Sequence, residues 1–323
     1  MRRPAAEVRA LVEKACHARG ASGDEAAIFA DVLVEAELRG RTTHGLSRLP
    51  GLLESLKGHT PGTPEIVEER GPLLVVDGRD RSGYLVGAFL VDEAVRVARS
   101  QGFALAGARN TRHCGMLGYY ASRAAEQDTI AVMCADCSAL VAPWGGTSPV
   151  LGTNPIAAAF PSEPAPILID FGTSATTYGA LDQARREGRP VPEGAALDAE
   201  GRPTTDPGRV RTILPMAGHK GYALGLLVQL LSGVLVGAAA VPSGYRDYGL
   251  FLLAMQTDLF APRDRYDAGV RDLIRQIKAV PRRQGFDEIL IPGERCFRER
   301  SERLKSGIEI GDAFWKELVR LAG

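Results

Sequence analysis

The chain has 323 residues, with 39 Lys plus Arg against 39 Asp plus Glu, so it carries no formal net charge. Neutrality removes the basic excess with which nucleic-acid binders replace counterions. With 45% apolar and 24% charged residues, a chain this long buries a core without a disulfide or metal staple.

Residues 5–18 read as a helix ending before Gly20. Ser22 and Glu25 form a capping-box pair that starts a second helix, running to Arg39 and stopped by Gly40. A short third helix is expected after Thr43, with Leu46, Leu49, Leu53 and Leu56 on its apolar side. Residues 60–64, a Pro- and Gly-rich breaker, mark the expected boundary. Beyond it, 66–68 and 73–76 read as strands, Asp77-Gly78 as a turn and 85–99 as a helix. Strands are expected at 103–108, 130–134, 156–160, 167–171, 250–255 and 288–291. Helices are expected at 117–127, 174–187, 266–279 and 295–321, with a loop over 192–212. The domains implied are a helical one (1–62 plus 295–323) and a central α/β one (63–294).

Residues 221–241 hold no charge and carry small residues at four-residue spacing, as some membrane helices do. Gln229 and Ser232 in mid-run favour a buried helix of a soluble protein instead. The five cysteines are an odd, scattered set that suits a reducing cytoplasm, and the first residues lack an apolar signal core, so a cytoplasmic location is expected.

Two familiar devices are missing. No two glycines stand one residue apart, which excludes a G-x-G-x-x-G dinucleotide fingerprint, and there is no G-x-x-x-x-G-K-[ST] phosphate loop. Asp170-Phe171-Gly172 lacks the other kinase motifs. Cys134 and Cys137 are spaced as half a metal or redox site, but a pair of small buried residues near a strand end is the favoured reading, and no metal is expected. His44 and Arg48, four apart, share a face if helical, and an imidazole beside a guanidinium suits a small carboxylate. His113, just after an expected strand, is placed for acid–base work or for a structural role. Lys220, opening the uncharged stretch, and Thr173 and Ser174, after a strand, have the donors for a phosphate or ribose.

Taken together, Thr43-His44-Gly45-Leu46-Ser47-Arg48-Leu49-Pro50, Asn110-Thr111-Arg112-His113-Cys114-Gly115, Leu151-Gly152-Thr153-Asn154-Pro155, Asp170-Phe171-Gly172-Thr173-Ser174 and His219-Lys220-Gly221-Tyr222 resemble the non-Rossmann malate/L-lactate dehydrogenase family, in the family's order and nearly end to end. The resemblance implies a three-layer, mixed-sheet α/β fold, NAD or NADP as cofactor, and a homodimer. It implies hydride transfer to or from C2 of a small 2-oxo or 2-hydroxy acid, or reduction of a cyclic imine carboxylate of the piperideine or pyrroline type. By motif, His113 is the implied proton donor and acceptor, Arg48 the carboxylate clamp with His44 beside it, and Thr43 and Leu52 further substrate contacts. Asp170, Thr173, Ser174 and Lys220 are the implied cofactor contacts. The chain departs from the pattern at Leu52, where the family usually has Tyr, in the segments 134–138 and 242–256, and at Phe171-Gly172.

Overall fold

A computed structural model describes residues 1–58 and 61–323. The chain opens with β1 (Arg2–Arg3), α1 (Ala5–His17) and α2 (Gly23–Leu38), then α3 (Leu49–Ser55). The Ser22–Glu25 capping box is formed, each side chain meeting the other's backbone N–H. Leu46, Leu49, Leu53 and Leu56 are all buried. The expected boundary begins at Thr60, which lies outside the described residues.

The central region runs β2 (Glu65–Arg70), β3 (Leu73–Arg81), α4 (Gly83–Gln101), β4 (Phe103–Thr111), α5 (Leu117–Ala125), β5 (Thr129–Ala135), β6 (Pro155–Phe160), β7 (Ile167–Gly172) and α6 (Tyr178–Glu187). It continues through β8 (Ala196–Leu197), β9 (Thr212–Ile213), α7 (His219–Val228) with a π-helical extension (Gln229–Leu235), β10 (Tyr248–Gln256) and α8 (Arg263–Ala279). The chain ends in α9 (Glu294–Ser306), β11 (Ile308–Glu309) and α10 (Asp312–Leu321).

Seven strands form one mixed sheet in the order β2-β3-β4-β10-β5-β6-β7. Only the β3–β4 pair is parallel. Alternation along β4 buries Ala104, Ala106 and Ala108, and such small side chains let helices approach closely. Helices α4 and α5 cover one face and the π-helical extension lies against β4, β10 and β5 on the other, giving three layers. Helix α2 packs on α4 and on α9. There the buried Glu35 accepts from Arg39 and, through both carboxylate oxygens, from Arg300. This multiply bonded pairing is the arrangement that makes a buried ion pair tolerable.

Four expectations need correction. Asp77-Gly78 is no turn: β3 continues through it, because Asp77 pairs with Arg109 of β4 and its carboxylate takes the Asn110 amide. Residues 288–291 are not a strand: the Ile291 N–H goes to the side chain of Glu294, the first residue of α9, and the Ile289 carbonyl accepts from Lys278. Helix α6 starts at Tyr178 rather than 174, where the Thr177 hydroxyl accepts the Ala180 N–H.

The uncharged stretch is neither one helix nor buried all round. Gln229, Ser232 and Gly233 face inward, with Gln229 donating to the buried Asp136. Leu230, Val234 and Leu235 are 49%, 52% and 64% exposed, which leaves an apolar face uncovered. Among the described residues no helix is long and apolar enough to cross a membrane.

Candidate active site

The chain segment after α2 sets the first wall. Two single 3-10 turns, Thr42–His44 and Leu46–Arg48, precede α3. Gly45 separates them because a Cβ there would stand 2.3 Å from Glu37 Oε1. The buried Glu37 carboxylate accepts the Leu46 N–H at 2.8 Å. Its pKa is pushed up to about 7 by burial, against the opposing pull of that N–H and of Arg303. His44 and Arg48 therefore do not share a helix face as their spacing suggests. Hydrogen bonds align them instead: Arg48 Nε donates to the Thr43 carbonyl at 2.7 Å, and Thr43 Oγ1 lies 3.1 Å from His44 Nδ1.

The second wall follows β4. His113 sits in the bend between β4 and α5, and the ring of Tyr84, from the first turn of α4, stands beside it. Arg112 next to it is held by Asp80 through two bonds of 2.8 and 2.6 Å. The third wall comes from the end of β7 and the start of α6: Asp170, Phe171, Gly172 and Thr177 to Gly179.

Between these walls lies a cleft of about 740 Å³, lined among others by Thr43, His44, Arg48, Leu52, His113 and Asp170. A site of this volume is ample for a small ligand with part of a cofactor. The other three sequence-derived candidates lie apart. Thr173 is buried behind the cleft with its hydroxyl donated to the Thr153 carbonyl, and Ser174 Oγ donates to Thr176. Lys220 is exposed in the first turn of α7 and makes no ion pair among the described residues.

The electrostatics keep both imidazoles neutral. The His113 side chain is exposed to the cleft, whose walls stand around it. Desolvation first, then the nearby His44 and Arg48, lower its pKa to about 3. His44 falls to about 4 for the same leading reason, with Arg48 and Arg41 adding to it. Asp170 moves the other way: burial raises its pKa, while Arg41, the Gly118 N–H and Arg39 resist. The cleft thus combines the guanidiniums of Arg41, Arg48 and Arg112, two imidazoles and the carboxylates of Glu54 and Asp170.

Sequence reasoning missed the residues that shape these groups. Gly179 leaves room for Arg48, since a Cβ there would lie 2.7 Å from its Nη2. Gly115, at φ +77°, leaves room for Tyr84. Tyr84 is buried, and its hydroxyl has no hydrogen-bond partner among the described residues. Cys134 and Cys137 are free thiols, and among the described residues no three His, Cys, Asp or Glu side chains cluster as a metal-ligand set.

Comparisons with known proteins place the chain in a family. The family model described as malate/L-lactate dehydrogenase matches residues 4–319. The chain belongs to the malate/L-lactate dehydrogenase family. Like other dehydrogenases of the family, it is an oxidoreductase. It is similar to the malate/(S)-sulfolactate dehydrogenase of Methanothermus fervidus, at 34% identity over 98% of this chain and 96% of that one. It is also similar to the NAD(+) ureidoglycolate dehydrogenase of Escherichia coli K12, at 32% identity over 96% and 92%. Among solved structures, the delta1-piperideine-2-carboxylate reductase of Pseudomonas syringae superposes with a TM-score of 0.89, at 28% identity and 99% coverage of both chains. The seven-stranded mixed sheet is the family fold expected from the motifs.

Proposed function

We propose that this malate/L-lactate dehydrogenase family member transfers hydride between NAD or NADP and C2 of a small 2-oxo or 2-hydroxy acid. The observation that carries the reading is the convergence of His113, His44 and Arg48 on one cleft. The opposite wall fits a nicotinamide ring: Phe171 offers a flat apolar surface, Gly172 bare backbone and Asp170 a polar group for an amide. Lys220, free at the start of α7, is assigned to the cofactor's anionic part, with Thr173 and Ser174 supporting the strand end that carries Asp170.

When bound, the cofactor supplies or accepts the hydride at C2. Arg48 has its Nε committed to Thr43 and so presents its terminal nitrogens to the substrate carboxylate. That grip, with Thr43 and Leu52 alongside, fixes which face of C2 is presented. His113 takes the hydroxyl proton in oxidation and returns a proton to the carbonyl oxygen in reduction, an effect worth roughly a hundred- to ten-thousand-fold in rate. A bound carboxylate offsets the Arg48 charge that depresses His113 and so draws its pKa back up. His44 sits beside Arg48 and adds a second neutral ring to the same end of the cleft.

A second reading rests on the likeness to the P. syringae reductase: a cyclic imine carboxylate would be held by the same Arg48, with nitrogen in place of oxygen as proton acceptor. NADH and NADPH oxidation, followed with a panel of 2-oxo acids and with piperideine-2-carboxylate, separates the two. Loss of turnover in His113→Ala is expected under either. Unchanged turnover in that variant would remove the proposed chemistry. The exposed Leu230, Val234 and Leu235, with Leu273 and Ile277 on α8, support a homodimer. A monomeric mass by light scattering would exclude one.

A further inference from the structure

We infer that Tyr245 is a substrate-contact residue, which stands at the mouth of the cleft and packs its ring against the carbon chain of the bound acid. The inference rests on the proposed reaction and adds a residue to its binding site. Tyr245 lines the cleft and is nevertheless 72% exposed, so it stands where the cleft opens to solvent. It lies in a short turn held between two buried residues, Pro242 and Tyr248. Gly244 makes the turn with a φ of +66°.

The turn is pinned on both sides of the ring. Before it, the Gly244 carbonyl accepts from the hydroxyls of Ser138 and Tyr248, and both of these residues line the cleft. After it, Arg246 pairs with Asp80 at 3.4 Å. The same Asp80 carboxylate holds Arg112, the residue before His113. One pin is thus on the side of the cleft that carries His113. The wall of Asp170, Phe171 and Gly172, to which the nicotinamide ring is assigned, supplies neither pin. A tyrosine ring is large and stiff, with only two side-chain torsions, so covering it releases water at little cost in conformational entropy. Arg48 is assigned the carboxylate, which leaves the carbon chain of the acid to meet the ring.

The test uses the full chain with pyruvate, oxaloacetate and piperideine-2-carboxylate. Tyr245→Ala is expected to raise KM about tenfold for the acid that the wild type turns over best, with a smaller change in kcat, as the loss of one aromatic contact does. Tyr245→Phe keeps the ring and should restore most of that affinity. Arg246→Ala frees one side of the turn and is expected to raise the same KM about threefold, the scale of an exposed ion pair. Melting temperatures of the three variants should stay near the wild-type value, because these side chains are exposed. Equal KM for Tyr245→Ala and the wild type, equal KM for the Phe and Ala variants, or a rise in the Kd of NADH or NADPH as large as that in KM overturns the inference. Absence of turnover with every acid, in either direction, counts against the reaction class instead. Calorimetric titration of the same three acids, with NADH or NADPH present, then decides the contact independently. Weaker binding to Tyr245→Ala upholds it, and equal binding, or binding to neither protein, overturns it.

Discussion

The ring of Tyr84 stands edge-on to the imidazole of His113, with centroids 5.9 Å apart and planes at 81°. A second edge contact, to Phe29 at 6.1 Å, holds Tyr84 from the other side. Gly115 permits this stack, because a Cβ there would lie 2.5 Å from Tyr84 Cε1. Its φ of +77° also disfavours any side chain. Gly115→Ala is therefore expected to cost about 1–3 kcal/mol and to lower kcat by tilting His113. Thermal melts and steady-state kinetics read the two effects. Tyr84→Phe keeps the ring and removes a hydroxyl that has no partner among the described residues, so stability should hold or rise. A large loss of kcat in Tyr84→Phe would show that the hydroxyl, not the ring edge, matters.

The low pKa of His113 gives the two directions of reaction different pH profiles. The group is neutral in the free protein down to about pH 3. Oxidation needs the neutral base, so its kcat/KM should be level between about pH 6 and 8, the range where an unshifted histidine changes charge. Reduction needs the protonated form, so its kcat/KM should fall about tenfold per pH unit over the same range. A bend in the oxidation profile near the ordinary histidine pKa would mean that the neighbours do not depress His113.

Arg48 depends on Gly179 for its place. With a Cβ 2.7 Å from Arg48 Nη2, Gly179→Ala should displace the guanidinium and raise KM for the acid about tenfold while kcat changes less. Arg48→Lys keeps the charge and loses the fork, at a cost of roughly 1.5–3 kcal/mol in kcat/KM. Equal kinetics for Arg48→Lys and the wild type would argue against a two-point grip on the carboxylate.

Two buried carboxylates, Glu37 and Asp136, have pKa values raised to about 7, in each case chiefly by burial. The native state therefore keeps their protons to higher pH than the unfolded chain does. Stability from each is fully present below its unfolded value, 4.5 for Glu37 and 3.8 for Asp136, and is lost as pH rises to about 7. The lowered His44 and His113 act oppositely, losing stability as pH falls below 6.5. Glu37→Gln still accepts the Leu46 N–H and does not titrate. Its urea midpoint should fall less than the wild type's between about pH 5 and 7, where each pH unit is worth about 1.4 kcal/mol at most. Parallel curves for the two proteins would contradict this role for Glu37.

The sequence carried the cleft's chemistry because its key groups sit in short motifs bound to their own neighbours: Thr43 organises His44 and Arg48 within a few residues. Helices with local caps, such as α2, were legible for the same reason. What escaped was set by partners remote in the chain. Gly45 answers to Glu37, Gly115 to Tyr84 and Gly179 to Arg48, and none of these pairings leaves a local pattern. The uncharged stretch misled because hydropathy does not say which face Gln229 and Ser232 turn towards Asp136 and the sheet. Residues 288–291 have strand-like composition, but the side chains of Lys278 and Glu294 bond the Ile289 carbonyl and the Ile291 N–H.

Strand β10 lies between β4 and β5 although it follows both by more than a hundred residues. The half of the sheet that presents His113 and the half that presents Asp170 are therefore joined by the last of its strands to be synthesised. A nascent chain that has not yet released residue 256 from the ribosome owns both halves of the cleft but lacks the strand that joins them. Contacts so distant in sequence are the slow ones to form. Enzymatic turnover in this protein thus reports completion of the whole sheet, and its first appearance during refolding would mark the arrival of β10.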